Sequence, residues 1–225
     1  MSYQVRLGGV YNSEIIKIAA EEGLYQYSFD FRPRSFNFIQ ENVFKDILNQ
    51  FGSPFHRYYL RFDSGENYLF EYFMQSLKEI IRENSNLSLN QFTFELEGDL
   101  DFEYIGNLGL SYILHYNHEK PELFNSYQTF LSGVLLPMNF LYGLHLRHEL
   151  SEFSQSFAQI GRCPRRTGDW QLILEMNWSS VFFDGLLEAF AFDTISFSIN
   201  SSVEKSYRVI DKYRLKKGLT EGIPC

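Results

Sequence analysis

Cysteine is nearly missing from this chain: there are two in 225 residues, Cys163 and Cys225. Two cannot build a disulfide framework, and neither stands near a second Cys or a His at a metal-ligand spacing, so no metal site is expected. Also missing is any apolar run approaching the roughly 20 residues of a membrane span. The opening MSYQVRLGG lacks the apolar centre of a secretory signal, and the ending Ile-Pro-Cys is not a prenylation box. Positive charge is in deficit, with 20 Lys and Arg against 28 Asp and Glu, net −8. That field repels phosphate backbones and anionic lipid, so neither nucleic acid nor membrane is an expected partner. The expected location is the cytoplasm. GxSxG, P-loop and HExxH motifs are absent, and Gly8-Gly9 without a GxGxxG frame is a tight turn, so no cofactor is expected.

What is plentiful is aromatic surface: 23 Phe and 15 Tyr. Large rings filling a core and its strands are the plain explanation, and a stacking site is the alternative. Strand and helix periods alternate from end to end, the pattern of β/α units. Eight strands are expected at 3–7, 27–31, 58–62, 92–96, 111–116, 132–136, 171–176 and 194–199. Asn12 is placed to cap a first helix that Gly23 ends in the left-handed region. Val43, Phe44, Ile47, Leu48 and Phe51 mark a second helix, and Leu69, Phe73, Leu77, Ile80 and Ile81 a longer third. Only a short helix fits after strand four, and Pro121 interrupts the segment after strand five. One helix is expected over 144–160, with Leu146, Leu150, Phe153 and Phe157 on a stripe, followed by a basic loop carrying Arg162, Arg165 and Arg166. A last helix is expected from Ser201 or Ser202, with Val203, Tyr207, Ile210 and Arg214 in a row, ending at Lys216-Lys217-Gly218, where lysines complement the dipole. With no linker or short repeat, the reading is α/β, one (β/α)8 TIM barrel over 1–225 with one or two degenerate helices. Function in such a barrel belongs at the C-terminal strand ends.

Two stretches carry a family resemblance. VRLGGVYN (5–12) is similar to the KICGIT-N strand end, and FDFRPRSFNFI (29–39) to the F-x-P-K-S-P-R-Y-I loop, of phosphoribosylanthranilate isomerase, a barrel of tryptophan biosynthesis. Arg6, Leu7, Gly9, Val10 and Asn12 match the first, and Phe31, Pro33, Arg34, Ser35, Phe38 and Ile39 the second. FELEGD at 94–99 resembles the family's VQLHGDE, and 200–213 the approach to its last helix. The resemblance implies an isomerisation needing a general base and a general acid within hydrogen-bond reach of a bound sugar. The family's base Cys falls at Gly8 and its acid Asp at Pro137, so neither position transfers a proton. Met138 and Asn139 add no carboxyl group. Its anthranilate-binding Arg falls at Asn37, and strand seven ends in Glu175-Met176-Asn177 where the family holds phosphate. The Arg-Pro-Arg-Ser turn then reads as inherited scaffold, with proline fixing the strand exit, serine capping the second helix region and the arginines lining a mouth.

The expected function is a diverged barrel that has lost the isomerase reaction and binds a small polar or cationic ligand or acts in regulation. Ligand-binding candidates are Arg32, Arg34, Ser35, Arg61, Asn177, Ser198 and Asn200. An enzyme using Glu95, His115 or Glu175 for proton transfer is the alternative, with a retained isomerase beside it and an interaction scaffold as a further reading. Against these stand plain explanations: Arg32 with Asp30 and Arg61 with Asp63 as ion pairs plugging the barrel end, and His115 as a hydrogen-bonded packing residue beside Tyr112 and Tyr116. Glu95 and Glu97 share one strand face, while alternation leaves open which face of each strand points inward. Oligomeric state is not fixed by the sequence.

Overall fold

A computed structural model describes residues 3–63, 67–97, 107, 111–117, 119, 131–161 and 170–221. Eight parallel strands, β1 Gln4–Gly8, β2 Gln26–Asp30, β3 Arg57–Phe62, β4 Phe92–Leu96, β5 Tyr112–His115, β6 Leu131–Pro137, β7 Gln171–Met176 and β8 Thr194–Ser198, close into a barrel in chain order. The seam runs from Gln4 opposite Thr194 to Gly8 opposite Ser198. All eight expected strands form, and with their crossover helices they make a (β/α)8 TIM barrel.

Among the described residues the α-helices are α1 Ser13–Glu21, α2 Glu41–Phe51, α3 Asn67–Glu83, α4 Met138–Leu146, α5 Leu150–Gly161, α6 Leu186–Ala189 and α7 Lys212–Glu221. Asn12 caps α1 as expected, its Oδ1 accepting from the Ile15 N–H at 3.1 Å. Gly23, at φ +81°, ends it while the N–H groups of Gly23 and Leu24 close back on Ala20 and Ala19. The short helix expected after strand four, the segment around Pro121 and Arg162, Arg165 and Arg166 lie outside the described residues.

Two expectations are corrected. The single helix over 144–160 is two helices, α4 and α5, because the chain turns at His148 with φ +61°. The His148 N–H bonds the His145 carbonyl and the Glu149 N–H the Leu144 carbonyl. That is the helix-ending arrangement glycine usually occupies, built here on a histidine that gives no sequence warning. Leu146 accordingly leaves the stripe and is 61% exposed. Nor does the last helix begin at Ser201. A hairpin, β9 Glu204–Ser206 with β10 Val209–Ile210, precedes it, turning through Arg208 at φ +57°. Helix α7 starts only after Asp211, whose Oδ1 accepts from the Tyr213 and Arg214 N–H groups at 3.1 and 3.2 Å. Lys216 and Lys217 therefore lie inside the helix, where Lys216 bonds Glu21 at 2.7 Å and Lys212 bonds Glu14 at 2.9 Å, pinning α7 to α1.

Buried phenylalanines fill the layer between sheet and helices. Phe31 stacks on Phe62 at 5.1 Å, and both meet Phe73 of α3 edge-on, while Phe29 meets Phe44 of α2 at 4.9 Å. This is the core reading of the aromatic content, with each ring pair adding about 0.5–1.5 kcal/mol beyond its burial. Phe44, fully buried and touching Phe29, Phe31 and Phe73, is the hub. Phe44→Ala is expected to lower unfolding free energy by about 3–5 kcal/mol, measured by urea denaturation against an exposed control, Tyr72→Ala, expected near zero.

Candidate functional site

Side chains inside the barrel form three storeys: an amide row of Gln4, Gln26 and Gln171 toward the N-terminal end, an apolar layer, and a charged layer. Tyr59, Ile113, Leu135 and Ile173 make a small apolar cluster of their own, apart from the main core outside the sheet. Toward the C-terminal strand ends lies a charged storey centred on Glu95, fully buried on β4. One of its oxygens takes Arg6 Nη2 at 3.2 Å and His115 Nε2 at 2.6 Å, with Arg61 Nη1 at 3.8 Å; the other accepts from Ser28 Oγ at 2.7 Å. Arg6 in turn donates from Nε to Ser196 Oγ at 3.0 Å and lies over the Tyr59 ring, 4.7 Å from its centroid. Strands β1 to β5 and β8 are thereby tied across the barrel axis.

A second tier sits above. Arg61 Nη2 pairs with Glu97, and Arg32 Nη1 donates to the same carboxylate at 2.7 Å while its Nη2 donates to Asp30 at 2.7 Å. The pairing expected of Arg61 with Asp63 does not form. Arg61 turns inward to Glu97, Glu95 and Glu175, and Asp63 lies 4.0 Å from Arg32 instead. The Arg32–Asp30 pair does form. Burial alone would raise the Glu95 carboxyl, but Arg6, the His115 hydrogen bond and Arg61 outweigh it and hold it well below the usual carboxylate range. Glu97 is lowered in the same way, burial being overcome by His115, Arg61 and Arg32.

Among the three proton-transfer candidates, His115 has both nitrogens engaged. Nε2 bonds Glu95, and Nδ1 faces Arg61 Nη2 at 3.3 Å and Glu97 Oε1 at 3.4 Å, a donor for the neutral ring and an acceptor for the protonated one. Glu95 is fully paired. Glu175 is more open. It lines a cavity of about 80 Å³ with Pro137, Asn139, Asn177 and Ser198, at the ends of β6, β7 and β8.

Of the ligand-binding candidates, Arg32 and Arg61 belong to the charged network, and Asn177 and Ser198 to that small cavity. The others stand elsewhere. Arg34 is exposed, without an ion pair to a described residue, and Asn200 Oδ1 accepts from the Ser202 N–H in a turn. Ser35 does not cap α2, whose N-cap is Gln40. It donates to Asp30 at 2.6 Å and accepts from the Asn37 N–H, stiffening the Arg-Pro-Arg-Ser turn. Asn37 reaches across to donate to the Ile199 carbonyl at 2.8 Å, passing so close to Gly9, at φ +69°, that a Cβ there would lie 2.2 Å from its Nδ2. Arg6, Ser28 and Ser196 escaped the sequence reading, although a parity signal existed: if Gly8 faces the barrel interior, so do Arg6 and Gln4. Among the described residues no group of three or more His, Cys, Asp or Glu side chains could hold a metal ion, and no helix is long and apolar enough to cross a membrane.

No protein-family model and no curated protein sequence matches the chain. Solved structures do. Phosphoribosyl anthranilate isomerase in complex with reduced 1-(o-carboxyphenylamino)-1-deoxyribulose 5-phosphate superposes with TM-score 0.67 at 18% identity, over 99% of this chain and 100% of that one. This chain has the phosphoribosylanthranilate isomerase fold. The isomerase from Thermotoga maritima gives 0.65 at 18% identity over 99% and 100%, and that from Thermus thermophilus 0.62 at 16% over 96% of each chain. In this isomerase-like barrel Gly8 and Pro137 stand at the C-terminal ends of β1 and β6, and a Cβ on Gly8 would lie 2.9 Å from Ser198 Oγ.

The charged storey makes a stability prediction. Arg6→Met leaves Glu95 short of its closest permanent cation, at a cost of about 3–5 kcal/mol. Adding Glu95→Leu is expected to cost less than the sum of the two single changes. Because the folded-state values of Glu95 and Glu97 lie below the ordinary 4.5, their contribution is complete above that pH and disappears as pH falls through the lowered values. Arg6→Met raises the folded value of Glu95, so its acid unfolding midpoint is expected at higher pH than in the wild type, read by circular dichroism.

Proposed function

We propose that this chain is an isomerase-like barrel that no longer catalyses the phosphoribosylanthranilate rearrangement, and that it holds a small polar or cationic ligand at its Glu175 corner. The observation that carries the reading is the bonded network that occupies the strand ends among the described residues. Arg61, Glu95, Glu97 and His115 bond one another across the strand ends, and the cavity beside Glu175 is about 80 Å³. Small-molecule sites measure roughly 300–1,000 Å³, so this corner suits a ligand of a few atoms better than a sugar phosphate bearing an aromatic ring.

Chemistry points the same way. The rearrangement needs a base and an acid within reach of the sugar, and Gly8 and Pro137 offer neither. Glu175 repels a phosphate at the end of β7 and attracts a cation. His115 is not a substitute base, because each of its nitrogens already faces a protein partner. A regulatory role through ligand occupancy fits a barrel of this kind, and an enzyme built on Glu175 is the second reading, since that carboxylate is the one candidate open to the cavity.

The test is direct. Purified protein incubated with phosphoribosylanthranilate is expected to give no turnover above the uncatalysed background, followed by loss of substrate fluorescence. Gly8→Cys with Pro137→Asp restores both residue types and is still expected to be inactive, because the network continues to occupy the strand ends. Turnover by the wild type would sink the proposal. Activity in the double variant alone would show that the missing groups, and not the occupied strand ends, are the barrier.

A further inference from the structure

The opposite, N-terminal end of the barrel holds a cavity of about 890 Å³, lined by residues at or just before the start of all eight strands. That volume lies within the roughly 300–1,000 Å³ of small-molecule sites. In a barrel of this kind that end serves stability, and branched apolar side chains dominate the interior layers. Here amides form its inner wall. Gln26 Nε2 donates to Gln4, and the Tyr59 hydroxyl lies 3.0 Å from Gln26 Oε1 and 2.9 Å from Gln171 Oε1. One phenolic proton cannot serve two carbonyl oxygens at once, so the row leaves amide hydrogen-bonding capacity over for a further partner.

Three features define what that partner is. The charged lining residues are Arg57 and Asp193, one of each sign, with Arg57 donating to the Asn90 carbonyl at 3.0 Å and Asp193 accepting from the Leu172 N–H at 2.8 Å. With the chain at net −8, nothing here favours an anion. Polar groups surround the cavity: Gln4 and Gln26 on β1 and β2, Thr93 on β4, Ser111 before β5, Ser132 on β6 and Gln171 on β7. Thr93 and Ser111 lie 3.3 Å apart and Ser132 donates to the Tyr112 carbonyl at 3.1 Å, yet each hydroxyl and amide keeps further hydrogen-bonding capacity, and a ligand with hydroxyls around its periphery meets more of such a ring than one with a single polar edge. Finally, Tyr25, Phe55 and Trp170 supply ring surface, and Phe55 is 82% exposed. Rings at a polar site offer a platform for an apolar face.

We propose that the N-terminal end of the barrel binds a neutral, polyhydroxylated ring, the chemistry of a saccharide. The ligand's hydroxyls bond Gln4 and Gln171, the accessible members of the row that the buried Gln26 and Tyr59 hold in place, and its C–H face rests on the aromatic rim. This site is independent of the Glu175 corner.

The full chain is titrated calorimetrically with cellobiose, maltose and myo-inositol, with glucose 6-phosphate and adenosine as the anionic and flat-ring comparisons. At least one of the three neutral probes is expected to bind saturably with Kd of about 1 mM or tighter, and both comparisons more weakly. Gln171→Ala is expected to weaken that binding roughly tenfold, the value of about one buried hydrogen bond. Phe55→Ser, at an exposed position that leaves folding intact, is expected to weaken it severalfold, and Glu175→Gln at the other end to leave it unchanged. No saturable binding of the neutral probes, preference for either comparison, or binding indifferent to both Gln171→Ala and Phe55→Ser overturns the proposal.

Discussion

A carboxylate with no access to water sits on the axis of this barrel, and much of the interior is arranged around keeping it ionised. Glu95 is enclosed on every side, and an isolated buried charge of that kind costs several kcal/mol. Two arginines, an imidazole and a serine hydroxyl converge on its two oxygens. Each partner comes from a different strand, so the compensation is available only when the barrel is closed in its native register. A one-residue slip of any of these strands would turn its partner outward and strand the charge. Compensation of the buried charge is thereby coupled to one register of the barrel.

The same arrangement bears on chemistry. Active sites keep groups unsatisfied, so that bound substrate completes them, and proteins give up stability for that. At the C-terminal end of this barrel the carboxylates are paired with cations, although Arg6 Nη1 and Arg61 Nε are buried without a hydrogen-bond partner among the described residues. Arg61 is shared among Glu95, Glu97 and Glu175, and His115 is held from both nitrogens. Paired charges therefore occupy the C-terminal strand ends.

How much of this was legible in the sequence follows from the physics of each signal. Eight strands announced themselves because their outer faces carry large apolar residues at strand periodicity, and α1 because Asn12 and Gly23 are residues whose side chains, or lack of one, dictate cap geometry. The break at His148 and the hairpin at Arg208 did not, since both place a residue with no turn signature at positive φ, held there by surrounding contacts. Glu95, His115 and Arg61 were legible as strand-end polar groups. Their convergence was not, because which strand face points inward depends on barrel closure. Arg6 was hidden further: a charged residue inside a first strand looks like surface until Gly8, two residues on, is known to face the axis.

Three storeys of different chemistry share one interior, and the middle one makes the others possible. Tyr59 belongs to the apolar storey through its ring, supports the Arg6 guanidinium above by cation–π contact, and sends its hydroxyl into the amide row below. With Ile113, Leu135 and Ile173 it forms a layer that separates the charged network from the N-terminal cavity. Water reaching the floor is thus kept from the buried Glu95 and Arg6, where it would weaken the electrostatic tie. A barrel divided in this way can leave its floor open and polar without loosening its top.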